Sequence, residues 1–269
     1  MALSLKPVPA SRGPRWIAEA FRLFARRPLA FCALFGLFLF ASLLVAQVPI
    51  LGGLVPMMSL PLLSLGFMVA GQSALQGGPV NPGQFIEPLR PDPARRRALL
   101  VLCLMYGVIA LSILLLADTM SNHAMARLQR LLAQGESAQA EIDALLSEPG
   151  VGGAALLGTV LGSLMAVPFW HAPALVHWGG QGVRQSLFSS TLAVWQSKGA
   201  FFTYTLAWLV VMLVFGVVTV VVFSVIGAPQ LAGLLALPAG LVFTAVFYLS
   251  VLFTFNDSFG GGEAAKPVA

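Results

Sequence analysis

Charge is scarce in this chain: 9% of its 269 residues are Asp, Glu, Lys or Arg, against about a quarter in ordinary soluble domains. With 58% hydrophobic residues and a mean hydropathy of +0.89, there is more apolar surface than a soluble core can absorb. Cysteine is nearly absent as well. Cys32 and Cys103 both lie inside apolar runs and form no Cys-x-x-Cys, which excludes a disulfide framework and a thiolate metal site and leaves them as small buried groups. Enzyme signatures are missing too. There is no His-Glu-x-x-His, no Gly-x-Ser-x-Gly, no Walker glycine loop and no carboxylate pair within an apolar run. The expectation is a non-enzymatic protein with no cofactor and no metal.

What the chain has is six uncharged apolar runs, at 29–46, 48–71, 98–117, 154–177, 200–226 and 231–255. Each meets or approaches the roughly 20 residues that cross about 30 Å of hydrocarbon as a helix. The fold class expected is all-α: a polytopic membrane helix bundle of six transmembrane helices forming a single membrane domain. About 28 residues precede the first run, and Leu44 sits where a small residue should precede cleavage at Ala46, so this run is expected to stay as an anchor.

Orientation follows from the basic residues. If the N-terminus is cytoplasmic, thirteen of the fifteen Lys and Arg fall on that side, and only Arg127 and Arg130 fall on the other. The positive-inside rule then places both termini in the cytoplasm and the stretch 118–150 outside. The net charge of +5 is accounted for by topology and by attraction to anionic phospholipids, with no nucleic-acid partner. Residues 1–14 and 261–269 read as disordered tails.

Ahead of the first run, 15–27 carries Trp16, Ile17, Ala20, Phe21 and Phe24 on one helical face and Arg15, Glu19, Arg22 and Arg26 on the other. That pattern predicts an interfacial helix whose apolar face lies at the acyl boundary. Arg22, Arg26 and Arg27 would reach headgroups, and Pro28 would end the helix. The bland alternative is a basic flank. The pattern recurs 171 residues on: Leu187, Phe188, Thr191, Leu192 and Trp195 occupy the equivalent positions, and Lys198 and Gly199 match Arg27 and Pro28. A second interfacial helix is expected at 183–197, with a parallel internal repeat of one such helix plus two spans.

The second run holds Pro49, Pro56 and Pro61, so it should be kinked or broken. Pro56 and Pro61 would either expose carbonyls to a cavity or merely set a packing kink. The fourth run has Gly158 and Gly162 at the small-xxx-small spacing of close helix packing, followed by His171, Pro173 and His177 near Trp170 and Trp178. His171 is a functional candidate as a deep ionisable group, or part of an aromatic belt at the interface. The outer stretch 118–150 should form two short amphipathic helices broken near Gly135 and ended by Pro149 and Gly150, serving as a cap or a docking surface for a partner protein. The 77–97 stretch, rich in Pro and Gly, reads as an irregular linker ending in the headgroup-binding Arg95, Arg96 and Arg97.

Trp16 with Phe21, Phe24 and Pro28, the Ala-Pro-Ala-Leu-Val run at 172–176, the stretch 195–208, and the ending Phe255, Asn256, Asp257, Ser258, Phe259 and Gly260 together resemble an uncharacterised family of six-span bacterial inner-membrane proteins. The resemblance covers nearly the whole chain and implies six spans and an inner-membrane location, but no activity. Its members tend to carry an aromatic where this chain has His171. Two functions remain open: a membrane adaptor or envelope-assembly factor that binds lipid or partner proteins, and a small transporter of an amphiphilic solute through a cavity between the repeats. The scarcity of membrane carboxylates argues against steep ion coupling. The sequence leaves the oligomeric state unknown.

Overall fold

A computed structural model describes residues 3–48, 51–90, 92–133, 139–228 and 233–260. Among these, regular structure is entirely helical. In chain order the α-helices are α1 (Gly13–Arg26), α2 (Pro28–Ala46), α3 (Leu51–Leu75), α4 (Pro93–Met120), α5 (Ala124–Ala133), α6 (Gln139–Leu146), α7 (Pro149–Phe169), α8 (Ala172–His177), α9 (Val183–Gln196), α10 (Lys198–Val225) and α11 (Ala236–Phe259). Six stretches are long and apolar enough to cross a membrane: α2, α3, α4, α7 with α8, α10 and α11. The protein is a membrane helix bundle.

α3 lies at the centre, packed against α4, α11 and α2. Leu63, Leu65, Phe67, Met68 and Ala70 on this helix are all but inaccessible. One core cluster joins α3 to α4, α8 and α11 through Leu65, Leu102, Leu175 and Leu252, and a second joins it to α1, α2 and α11 through Leu23, Phe31, Phe67 and Leu249. α10 stands at the margin. Its first turns meet α1 and α9, while from Leu209 to Val225 most of its side chains face outward.

Several expectations need correction. α3 is one continuous helix through Pro56 and Pro61, although each proline withholds a backbone donor, so the second span is not broken. The break falls in the fourth span, between α7 and α8 at Trp170 and His171. Pro149 and Gly150 open α7 rather than closing α6. Gly135 and Pro49 lie outside the described residues, as do 261–269. Arg95, Arg96 and Arg97 sit in the first turns of α4, not in a linker, because the Asp92 carboxylate caps the Ala94 N–H at 2.9 Å and starts the helix early.

The N-terminal tail is not disordered from Leu3 onward. It crosses the end of the bundle as an extended strap. The Lys6 N–H donates to the Ser258 carbonyl at 2.8 Å, and the Val8 N–H donates to Ser197 Oγ at 3.1 Å. Leu3 and Leu5 pack on the core. The apolar face of α1 does not meet lipid either. It is spent on protein, across α11 and α10, and Trp16 is 0% exposed. Trp16 is therefore a core residue and not an interface anchor.

α9 follows the repeat in sequence but turns its other face inward. Ser186, Ser190, Ala193 and Ser197 are buried, whereas Phe188 and Trp195 are 68% and 70% exposed. The buried positions match Arg15, Glu19, Arg22 and Arg26 of the charged face of α1. Small side chains let α9 approach α7 and α8 closely. The aromatic side chains of α9 are left outward, with Lys198 Nζ 5.5 Å from the centre of the Trp195 ring.

Candidate functional site

α11 places Ser250, Thr254 and Asp257 along one side at spacings of four and three, so a single helical face carries three polar groups into the bundle. Tyr204 Oη and Ser250 Oγ share a hydrogen bond of 2.7 Å. Thr254 Oγ1 donates to the Val251 carbonyl at 2.8 Å and accepts from Trp170 Nε1 at 3.1 Å. With its one proton used, Thr254 Oγ1 accepts again from His171 Nε2 at 3.0 Å. That assignment leaves His171 Nδ1 as an unprotonated acceptor, buried and without a partner. The rings of Phe201, Phe255 and Phe259 enclose His171, which is 0% exposed. His171 is thus enclosed in protein.

The break beside it is stitched by Ser190. Its Oγ accepts from the His171 N–H at 3.0 Å and donates to the Val167 carbonyl at 3.0 Å. Both are main-chain groups released where the helix stops. Pro173, buried in the first turn of α8, has no N–H to offer and fits there without loss. His177 ends α8, and its carbonyl accepts from Arg95 Nη1 at 3.1 Å.

At the end of α11 an ionic knot ties three segments. Asp257 accepts from Arg12 Nε at 2.6 Å, Arg12 Nη2 at 3.1 Å and Trp16 Nε1 at 2.7 Å, and Arg12 also pairs with Glu19 at 3.0 Å. The Asp257 hydrogen bond holds the Arg12 guanidinium above its usual value, so it stays charged. Reading the sequence missed this knot, since Arg12 and Asp257 are 245 positions apart. The other end has its own pair. Arg127 and Glu148 join α5 to the start of α7 at 2.6 Å, and that hydrogen bond pulls the Glu148 carboxyl below the usual range. Its contribution is present above the unfolded value and lost as pH falls through the folded one, and exposure keeps it small.

The sequence-derived cavity residues are not brought together. A cavity of about 140 Å³ between α3, α4, α7 and α11 is lined by Pro61, Ser64, Tyr106, Trp170 and Tyr248 among others, but not by Pro56, His171, Pro173 or His177. It lies below the roughly 300–1,000 Å³ of ordinary ligand pockets. Gly158 faces Ala117 of α4, where an added Cβ would lie 3.8 Å from its Cβ; Gly162 faces open space. No group of three or more His, Cys, Asp or Glu suited to a metal occurs among the described residues.

No family model matches the chain, and no solved structure matches it. It is 31% identical over 266 residues to the "Probable inner membrane protein BTH_II0599" of Burkholderia thailandensis, covering 98% of this chain and 97% of that one. The chain belongs to that inner-membrane protein family. End-to-end coverage means the strap, both short amphipathic helices and all six spans fall within the shared length. The relative's name gives a location and no activity.

Proposed function

We infer that the protein is a non-enzymatic scaffold of the bacterial inner membrane, an adaptor that holds lipid and partner proteins at the bilayer, with both termini cytoplasmic. The carrying observation is that the centre is closely packed, with a cavity of only about 140 Å³ beside it, while the distinctive surfaces lie outside. Leu65, Leu102, Leu175, Leu249 and Leu252 close the centre at 0% exposure, and the buried Ser250 and Thr254 hydroxyls of α11 are taken up by Tyr204, Trp170 and His171 of the neighbouring elements. The strap of residues 3–12 and the Arg12–Asp257 knot close the end that carries most arginines. Outward lie Phe188 and Trp195 on α9, the arginines of α1 and α4, and the α5–α6 segment, where Ile142 and Leu145 are buried and Leu146 is exposed. The thirteen-to-two division of basic residues supports the orientation.

The test is a pair of measurements on the purified full chain. Native mass spectrometry from mild detergent should show a lipid or protein companion at fixed stoichiometry. In proteoliposomes, a fluorescent single-chain amphiphile should cross no faster than in protein-free vesicles. Accelerated crossing that disappears in Pro61→Ala would replace the adaptor with the transporter, because Pro61 lines the cavity between α3, α4, α7 and α11.

A further inference from the structure

The geometry points to a discrete binding site for one anionic diacyl phospholipid on the outer face of α4, with its phosphate on Arg96 and Arg97 and its two chains straddling the ridge formed by Arg97 and Val101. This deepens the adaptor reading and rests on it for the lipid-facing role of this surface.

Three consecutive arginines open α4, and the structure uses them differently. Arg95 is tied inward to the His177 carbonyl at 3.1 Å and to Asp92 at 3.6 Å. Arg96 and Arg97 are exposed, and among the described residues neither side chain has a hydrogen-bond or ion-pair partner. Two free guanidiniums at the edge of a membrane span are complementary to a headgroup phosphate, which accepts bidentate donation.

Below them the surface changes from charged to apolar within one turn. A groove of about 400 Å³ runs along Pro93, Arg96, Arg97, Leu100, Val101 and Leu104, and a second of about 440 Å³ lies on the other side, along Pro93, Ala94, Arg97, Ala98, Val101 and Val183 of α9. Pro93, Arg97 and Val101, one helical turn apart in succession, belong to both, so they form the divide between two grooves of nearly equal size. Two shallow apolar grooves on either side of one cationic ridge match a molecule with two chains and one phosphate. A soluble phosphate would leave both grooves empty. The depth also fits. The first groove ends at Leu104 and the second at Val101, and beyond them the exposed stripe of α4 continues to Val108; the eleven residues from Arg97 at about 1.5 Å each give roughly 16 Å, close to one leaflet of a hydrocarbon core about 30 Å thick.

The experiment titrates phosphatidylglycerol, phosphatidylcholine and lyso-phosphatidylglycerol into the delipidated full chain in neutral detergent and counts bound lipid by native mass spectrometry. One phosphatidylglycerol should bind ahead of the rest, in preference to the other two. Arg96→Gln with Arg97→Gln should weaken that first binding about thirtyfold. Arg22→Gln with Arg26→Gln, the same charge change on α1, should lower later adsorption and leave the first lipid in place. Equal binding of phosphatidylcholine, equal loss in both double variants, or equal retention of the lyso-lipid would each overturn the site. Any of these would leave the adaptor reading standing on its protein companion and its lack of flux, so the two failures are distinguishable.

Discussion

Asp257 joins two kinds of partner whose losses have different costs. Its bond to Trp16 Nε1 satisfies the donor of a fully buried indole, whereas its pair with Arg12 is partly exposed, at about a quarter of each side chain's surface. An unsatisfied buried donor costs about 1–3 kcal/mol, while an exposed ion pair contributes about 0–1 kcal/mol. Asp257→Ala should therefore destabilise the protein by about 2–3 kcal/mol, and Asp257→Asn, which keeps an acceptor for Trp16, by under about 1 kcal/mol. Thermal unfolding of both variants in one detergent checks the order, and equal losses would assign the knot to charge alone. Little of this was legible in the sequence. The aromatic face of α1 and the Asn-Asp-Ser ending were visible separately, but nothing local links Trp16 to a carboxylate 241 positions away. His171 shows the converse: its place in a span was readable, but its enclosure by Phe201, Phe255 and Phe259 depends on α10 and α11.

At the scale of helices, the pattern of α1 and α9 was legible and the face each would bury was not. Amphipathic periodicity says that a helix has two faces, but lipid and protein interior both accept the apolar one. α1 buries its aromatics because α10 and α11 cover them; α9 buries its small residues because close approach to α7 and α8 gains packing and hydrogen bonds together. The signal that identifies the buried face of α9 is Ser186, Ser190, Ala193 and Ser197 at spacings of four, three and four. Prolines alone do not locate the break. α3 runs through Pro56 and Pro61 without interruption, while the break at Trp170 persists because Ser190 satisfies both freed main-chain groups. Ser190→Ala should leave the His171 N–H and the Val167 carbonyl unpaired and cost about 1–3 kcal/mol. Phe188→Ala, on the exposed face of the same helix, should change stability by less than about 0.5 kcal/mol in detergent. Urea or thermal unfolding of the two variants reads the difference, and a Ser190→Ala as stable as the parent would mean the stitch is replaceable.

For the whole molecule, the six spans were readable because length and hydropathy are local, whereas the arrangement of helices was not, since every span is about as apolar as lipid. The position of α10 is the clearest case. It is as hydropathic as α4, yet it is held chiefly at its first turns, where Thr203 Oγ1 donates to the Ala10 carbonyl at 2.6 Å and Trp16 meets Phe201 at a tilt and Tyr204 edge-on. The strap and α1 therefore act as the clasp that keeps α10 on the bundle. Gly13 is the point of closest approach: a Cβ there would collide with the Thr203 hydroxyl, the Ala200 carbonyl and the Tyr204 main-chain nitrogen, two of which are backbone and cannot move aside. Helix propensity alone favours Gly13→Ala by up to about 1 kcal/mol, while overpacking costs about 1–3 kcal/mol or more, so the two effects oppose each other in sign. The expected result is net destabilisation, together with faster amide exchange in the first turns of α10 and unchanged exchange in α3 and α4. A Gly13→Ala protein that is more stable, with the start of α10 still protected, would show that α10 is held by some other contact and that the strap is not its clasp.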